Sequence, residues 1–221
     1  MGDPLPMFPL NTVVFPGMTV PLHVFEDRYR ALVRHLLRVE EPADRVFGTV
    51  AIREGYELGE HGAQSVYRVG CLLQLTEVER RPDGTFDVVA VVRDRLRLDR
   101  MERGGDFPTG VADVVEEPPA DVPGEVMDRA RATFTAYRAA IAELQGDPFS
   151  GTLPRDPDYL AWTLSALSPL PMAERQSLLE APDAEARLVL VTRLLREELR
   201  AINVIPSLPA TQVARTAWSP N

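Results

Sequence analysis

The sequence predicts an α+β fold: an N-terminal curled, mostly antiparallel β-sheet or pseudo-barrel carrying one helix, followed by a C-terminal helical bundle. Three observations predict it. From Pro4 to about Glu117 short apolar runs are broken by Pro and Gly, the pattern of strands and turns. From Val126 onward apolar residues recur every three or four positions, the pattern of helices. Between the two lies Glu116-Glu117-Pro118-Pro119-Ala120-Asp121-Val122-Pro123-Gly124, acidic and too rich in proline to continue a strand interior. The expected division is a β-rich part over 1–117, a linker over 118–124, a helical bundle over 125–204 and a flexible tail over 205–221.

Within the first part, Leu5 to Leu10 and Thr19 to Phe25 read as short strands. Between them, Phe15-Pro16-Gly17-Met18 reads as a tight turn, because Pro16 presets its dihedral and Gly17 can take the positive φ of a type II turn. Tyr29, Leu32, Val33, Leu36 and Leu37 fall on one stripe of a helix whose first turn holds Glu26 and Asp27 and which ends before Pro42. Val69, Cys71, Leu73 and Leu75 alternate with period two, so one face of their strand is buried. The parity then slips to Val78, which predicts a bulge or a crossover between faces. Pro82-Asp83-Gly84 closes a hairpin into a strand from Phe86 to Leu98, where Arg95-Leu96-Arg97-Leu98-Asp99 alternates as a strand with one wet face.

Past the linker, Val126, Ala130, Phe134, Tyr137, Ile141 and Leu144 mark a long amphipathic helix. Asp156 to Leu167 gives a second, Pro171 to Glu180 a short third with proline near its start, and Leu188 to Ile202 a fourth. The tail from Ile205 to Asn221 carries three prolines and no apolar stripe.

Composition narrows the function. The 221 residues carry a formal net charge of -9, which repels phosphate backbones and anionic lipid surfaces, so neither a nucleic acid nor a membrane is an expected partner. The longest purely apolar run, Val88 to Val92, is far short of a membrane span, and no basic-then-apolar leader opens the chain; a cytoplasmic protein is expected. All 24 basic residues are Arg. Without a lysine there is no Walker lysine, no Ser/Lys dyad and no Schiff base.

No catalytic residue and no metal ligand set emerges from the remaining side chains. His23, His35 and His61 fall on a strand, a helix and a loop with no ligand spacing between them. Cys71, the single cysteine, lies on the apolar face of its strand and reads as core rather than as a nucleophile. Gly55, Gly59 and Gly62 match neither the dinucleotide nor the Walker pattern, and the acidic pairs Glu40-Glu41 and Glu116-Glu117 sit at turns. The expectation is a protein that is not an enzyme and uses no cofactor.

The opening segment is more specific. Pro6-Met7-Phe8-Pro9-Leu10-Asn11-Thr12-Val13-Val14-Phe15-Pro16-Gly17-Met18, followed by Pro21-Leu22-His23-Val24-Phe25-Glu26-Asp27-Arg28-Tyr29-Arg30, resembles the start of the Lon protease N-terminal, substrate-binding domain. Phe47-Gly48, Gly55 with Glu57-Leu58-Gly59, Val69-Gly70-Cys71 and the Asp83-Gly84 hairpin continue the likeness, as do Trp162, Leu178-Leu179-Glu180 and Arg187-Leu188 in the helical half. The resemblance covers roughly residues 4 to 203. One departure is that Val92 and Leu96 stand where the family usually has a Gly and an aromatic, which removes a flexible point next to an expected bulge. A second is that no ATPase or Ser/Lys peptidase module follows Asn221, which reads as a stand-alone domain.

What the resemblance implies is a non-catalytic module that captures unfolded or exposed apolar segments of other proteins. The residues expected to contact such a peptide are Phe8, Phe15, Pro16, Met18 and Phe25, because aromatic and Met side chains adapt to varied partners and an unpaired sheet edge can add a strand. The alternative is an adaptor that docks a protease, chaperone or ligase through the tail, with Trp218 as an anchor. A free sheet edge also leaves a homodimer open.

Overall fold

A computed structural model describes residues 4–54, 65–102, 104–119, 121–145 and 151–204. The loop containing His61 and the tail containing Trp218 lie outside the described residues. The chain divides into two compact units, Met1–Glu116 and Glu117–Asn221.

The first unit holds β1 (Leu5–Pro6), β2 (Thr19–Val24), helix α1 (Asp27–Leu36), a 3-10 turn at Pro42–Asp44, β3 (Val46–Thr49), β4 (Ile52–Glu54), β5 (Ser65–Val66), β6 (Val69–Arg80), β7 (Phe86–Glu102) and β8 (Thr109–Val115). Six of these strands form one sheet in the order β1-β8-β7-β6-β3, with β2 paired to β7 off that path, and β4 pairs with β5. All strand pairs are antiparallel. The two ends of the path meet, because Met7 and Leu10 form parallel bridges to Gly48 and Ala51, with Phe8 N donating to Gly48 O at 2.8 Å. The expected pseudo-barrel is therefore present. The Pro16-Gly17 turn also forms, with Gly17 at φ +85° and Met18 N donating to Phe15 O, but it links strands that do not pair with each other.

The 17 residues of β7 organise this unit. Its first half pairs with β2, its second with β8, and β6 runs along the other edge. Directly opposed residues on an antiparallel ladder point to the same face. Up to Val92, the even residues Phe86, Val88, Ala90 and Val92 face the buried side with Leu73 and Leu75 of β6 and Val20 and Val24 of β2. Arg93 is then left unpaired, as Leu72 opposes Asp94 and Leu73 opposes Val92. This bulge turns Leu96 and Leu98 to the opposite face, where they join Met7 and Val50 in a separate core cluster. It forms without the glycine the family favours. It also overturns the expected wet position at 95: Arg95 opposes Cys71 on the buried side and is 5% exposed. A second register shift lies between Leu75 and Glu77, so of the two expected alternatives after Leu75, β6 takes the bulge.

Gly70 of β6 lies tight against the end of β3 at Thr49. A Cβ built there would lie 1.9 Å from the Thr49 carbonyl oxygen, a backbone atom with nowhere to go. Helix α1 buries Tyr29, Leu32, Val33 and Leu36, but Leu37, expected on the same stripe, is the C-cap and stays 40% exposed.

The second unit consists of α2 (Gly124–Gln145), α3 (Pro157–Leu167), α4 (Met172–Glu180) and α5 (Ala184–Val204). Asp156 caps α3 by accepting from the backbone N–H groups of Asp158 and Tyr159, and Pro171 precedes α4. The apolar stripes meet as Ala130, Phe134, Tyr137, Leu160, Leu164, Leu178, Leu188, Val191 and Leu195, all buried.

Candidate functional site

Of the two aromatic rings in the segment before β2, Phe15 is buried and Phe8 half-buried. Phe15 is fully buried, and its backbone N–H donates to the Met18 Sδ at 3.3 Å, so the turn is closed by both backbone and thioether. Phe8 stacks on Tyr29 of α1 with ring centroids 4.0 Å apart and lies 6.3 Å from Phe47. Pro16 and Met18 are half-buried at the head of β2, whereas Phe25 follows its last residue and is 49% exposed. At the rise of an extended strand, Met18 and Phe25 are roughly 23 Å apart. The five expected contact residues therefore do not converge: Phe15 packs inside, Phe8 is half-buried against Tyr29, and the rest stand at opposite ends of β2.

The outer face of the sheet beside Phe25 is a different matter. Two cross-strand rows stand on it, Pro21–Val89–Glu77 and His23–Asp87–Glu79, each contributed by β2, β7 and β6 in that order. They line a groove of about 490 Å³. Its middle is Val89 and Asp87, one wall is Pro21 and His23, and the other carries the carboxylates of Glu77 and Glu79. Phe25 extends the first wall, its ring 6.0 Å from that of His23 and within 26° of parallel. Because Pro21 has no N–H yet sits within an unbroken ladder to Val89, its missing donor faces the outer edge of β2, which guards that edge against a further strand.

One carboxylate in the groove is fixed by partners. Asp87 accepts from His23 Nδ1 at 2.6 Å and from Arg81, whose Nε lies 2.5 Å away. The hydrogen bond from His23, and after it the one from Arg81, hold the Asp87 carboxyl below the usual carboxylate range. At the hairpin tip the Thr85 N–H and hydroxyl do the same for Asp83. The arrangement offers an apolar strip beside three carboxylates, of which Asp87 and Glu79 share the Arg81 guanidinium. Sequence reading missed these residues because each is unremarkable alone; only the register of three strands places Pro21, Val89 and Glu77 in one row.

Cys71, His23 and His35 lie on three separate elements. Cys71 is fully buried, donates to Val14 O at 3.3 Å, and burial pushes its thiol far up, the opposite of what a nucleophile needs. His23 and His35 are on separate elements, and His35 packs against Phe107 at 5.0 Å. Among the described residues no group of three or more His, Cys, Asp or Glu could hold a metal ion, and no helix is long and apolar enough to cross a membrane.

A closed antiparallel sheet with one packed helix, followed by a four-helix unit, is the architecture of Lon N-terminal domains. The crystal structure of the Lon N-terminal domain protein from Xanthomonas campestris superposes with a TM-score of 0.61 at 25% identity, covering 90% of this chain and 98% of that one. Residues 4–197 match the ATP-dependent protease La (LON) substrate-binding domain, and the chain belongs to that family. Lon protease 2 of Syntrophobacter fumaroxidans is 26% identical over 209 residues, 92% of this chain and 26% of that protein. The Lon protease of Escherichia coli is 26% identical over 212 residues, 90% of this chain and 25% of that protein. The chain thus spans about a quarter of the length of these curated relatives.

Proposed function

We propose that this chain captures unfolded or exposed apolar segments of other polypeptides on the outer face of β2, β7 and β6, holding them without chemical change. Membership of a substrate-binding family supports the role. The observation that carries the location is Phe25, a large aromatic left 49% exposed at the end of a groove whose strip is Val89 and Pro21. An extended segment seats an apolar side chain against this strip and its aromatic or aliphatic neighbour against Phe25. Glu77 and Glu79 favour segments whose flanking side chains are basic. Pro16 and Met18, half-buried at the far end of β2, serve as a second and weaker apolar contact for a longer client. Binding of this kind requires neither nucleotide nor metal and belongs in a cytoplasmic setting where unfolded chains arise.

The test is fluorescence anisotropy with a permanently unfolded, labelled polypeptide and its folded parent, in the absence of nucleotide. Preferential binding of the unfolded form, weakened about tenfold or more by Phe25→Ser and left intact by Tyr159→Ser, is expected. Tyr159, 69% exposed on α3, is the control for non-specific stickiness. Absence of binding to either form at tens of micromolar overturns the role, and equal losses in the two variants overturn the location.

A further inference from the structure

The second unit carries a groove of opposite character. It is about 250 Å³ in volume and runs between α2 and α5, walled by Arg193, Arg196 and Arg200 of α5 and by Arg129 of α2. Val126 and Val189 supply an apolar floor, and Val189 is 54% exposed. Arg193, Arg196 and Arg200 follow one another at three and four residues, so they share one helix face and span about 10 Å along the axis.

What sets this cluster apart is the convergence of four arginines on one groove. Some arginines engage carboxylates directly, as Arg28 does with Glu26, Arg30 with Asp27, Arg81 with Asp87 and Arg187 with Glu117, while others bond carbonyls or stack on rings, as Arg45 does with Val39 O and Arg53 with Tyr67. The four groove arginines have no side-chain hydrogen bond or ion pair among the described residues. Arg193 lies within electrostatic reach of Glu174, and Glu197 is the one carboxylate in the groove lining. On a chain of net charge -9, four guanidinium groups without a direct ion pair, beside an exposed valine, are a cationic, partly apolar cradle.

We infer that this groove docks an acidic segment of another polypeptide, one with carboxylates three or four residues apart and an apolar residue between them. The carboxylates pair with the α5 arginines and Arg129, since Arg presents a fork that matches carboxylate geometry. The apolar side chain covers Val126 and Val189. A nucleic acid fits the groove less well. A phosphate backbone needs a continuous basic track, whereas here Glu197 interrupts the wall and the molecule as a whole is anionic. The site is independent of the capture surface proposed above, since every residue in it belongs to the other unit.

Anisotropy of the whole chain with three labelled probes tests this: a helical peptide with Glu at i, i+3 and i+7 around a Leu, the same peptide with Gln for each Glu, and a single-stranded oligonucleotide of equal length. The acidic peptide is expected to bind at least tenfold tighter than the Gln copy, to weaken as salt rises, and to lose tenfold or more in Arg196→Glu and in the milder Arg193→Gln/Arg200→Gln double variant. The variants should keep the wild-type circular dichroism and their binding of the unfolded polypeptide, which separates failure of this site from failure of the capture role. Equal binding of the Glu and Gln peptides, unchanged binding in both variants, or tighter binding of the oligonucleotide overturns the inference.

Discussion

Arg187 grips Glu117 through both guanidinium ends, with Nη1 2.7 Å from Oε1 and Nη2 3.1 Å from Oε2, although the arginine is entirely shielded from solvent. The same guanidinium donates from Nε to Leu178 O at 3.0 Å and from Nη2 to Ala181 O at 3.1 Å, satisfying two carbonyls at the end of α4. Its carbon lies 3.3 Å from the centroid of the Trp162 ring on α3. One side chain thus ties α5, α4, α3 and the segment leading into α2. A charge taken out of water needs such a complete set of partners.

Removing the counter-charge should therefore be severe. Glu117→Gln leaves Arg187 buried with its charge uncompensated, and a loss of about 3–5 kcal/mol in unfolding free energy is expected from urea denaturation. Replacing both members, Glu117→Leu with Arg187→Met, should cost much less than the single change, because no charge is then left behind. A loss under about 1 kcal/mol for Glu117→Gln would show that the pair contributes little to holding the helices.

A second prediction concerns Gly70. Adding one methyl group, Gly70→Ala, drives a Cβ into the Thr49 carbonyl and forces β3 and β6 apart. The expected cost is about 3 kcal/mol, at the upper end for overpacking, because backbone rather than a flexible side chain must move. Gly104→Ala is the matched control, since a Cβ there meets nothing within 4 Å. Urea midpoints for the two variants should separate clearly; coincident midpoints would mean that the two strands yield without strain.

What the sequence made legible was whatever is decided locally. The Pro16-Gly17 turn follows from the dihedral each residue allows, and the four helices of the second unit follow from their apolar period. Alternation through β7 was misleading for a physical reason. Val88, Ala90, Val92, Leu96 and Leu98 keep one parity in sequence, but the bulge at Arg93 sends the last two to another core and brings Arg95 inward. Neighbouring strands fix that bulge, not the residues within it. Register governs the candidate site too: Phe8 and Phe15 are as aromatic as Phe25, and only tertiary pairing decides that Phe25 stays in water. The groove rows join residues more than 50 positions apart, and no local pattern announces them.

Cys71 gives a pH-dependent prediction. Burial raises its folded-state pKa above the ordinary value of 9.0, so between those two values the native state holds a proton that the unfolded state has released. The resulting stabilisation is complete below about pH 9 and is lost as pH rises toward the folded value, with a limiting slope of about 1.4 kcal/mol per pH unit. Cys71→Ala should flatten this alkaline decline in a series of urea titrations. Alkylation by iodoacetamide at pH 8 should modify the thiol only once the protein is unfolded; rapid labelling of the native protein would contradict the burial.

The Asp87 carboxyl, in the middle of the groove across β2, β7 and β6, should titrate below its ordinary value of 3.8, which a ¹³C NMR titration of the side-chain carboxyl can follow. The His23 hydrogen bond is the larger cause and Arg81 the second, so His23→Ala should raise the midpoint further than Arg81→Ala. The sign follows from linkage: a depressed carboxyl stabilises the folded state above its unfolded pKa, and that contribution disappears as pH falls through the folded one. Since Asp87 and its partners are open to solvent, neither variant should change the urea midpoint at neutral pH appreciably. Under the capture role proposed above, their effect is expected in binding. With His23 removed, Phe25 loses its stacking neighbour and Asp87 its closest donor, so His23→Ala should weaken capture of an unfolded polypeptide several-fold while Arg81→Ala, which leaves the Phe25–His23 pair in place, should do so less. Equal effects of the two variants on capture would remove the aromatic wall from the argument and leave only charge.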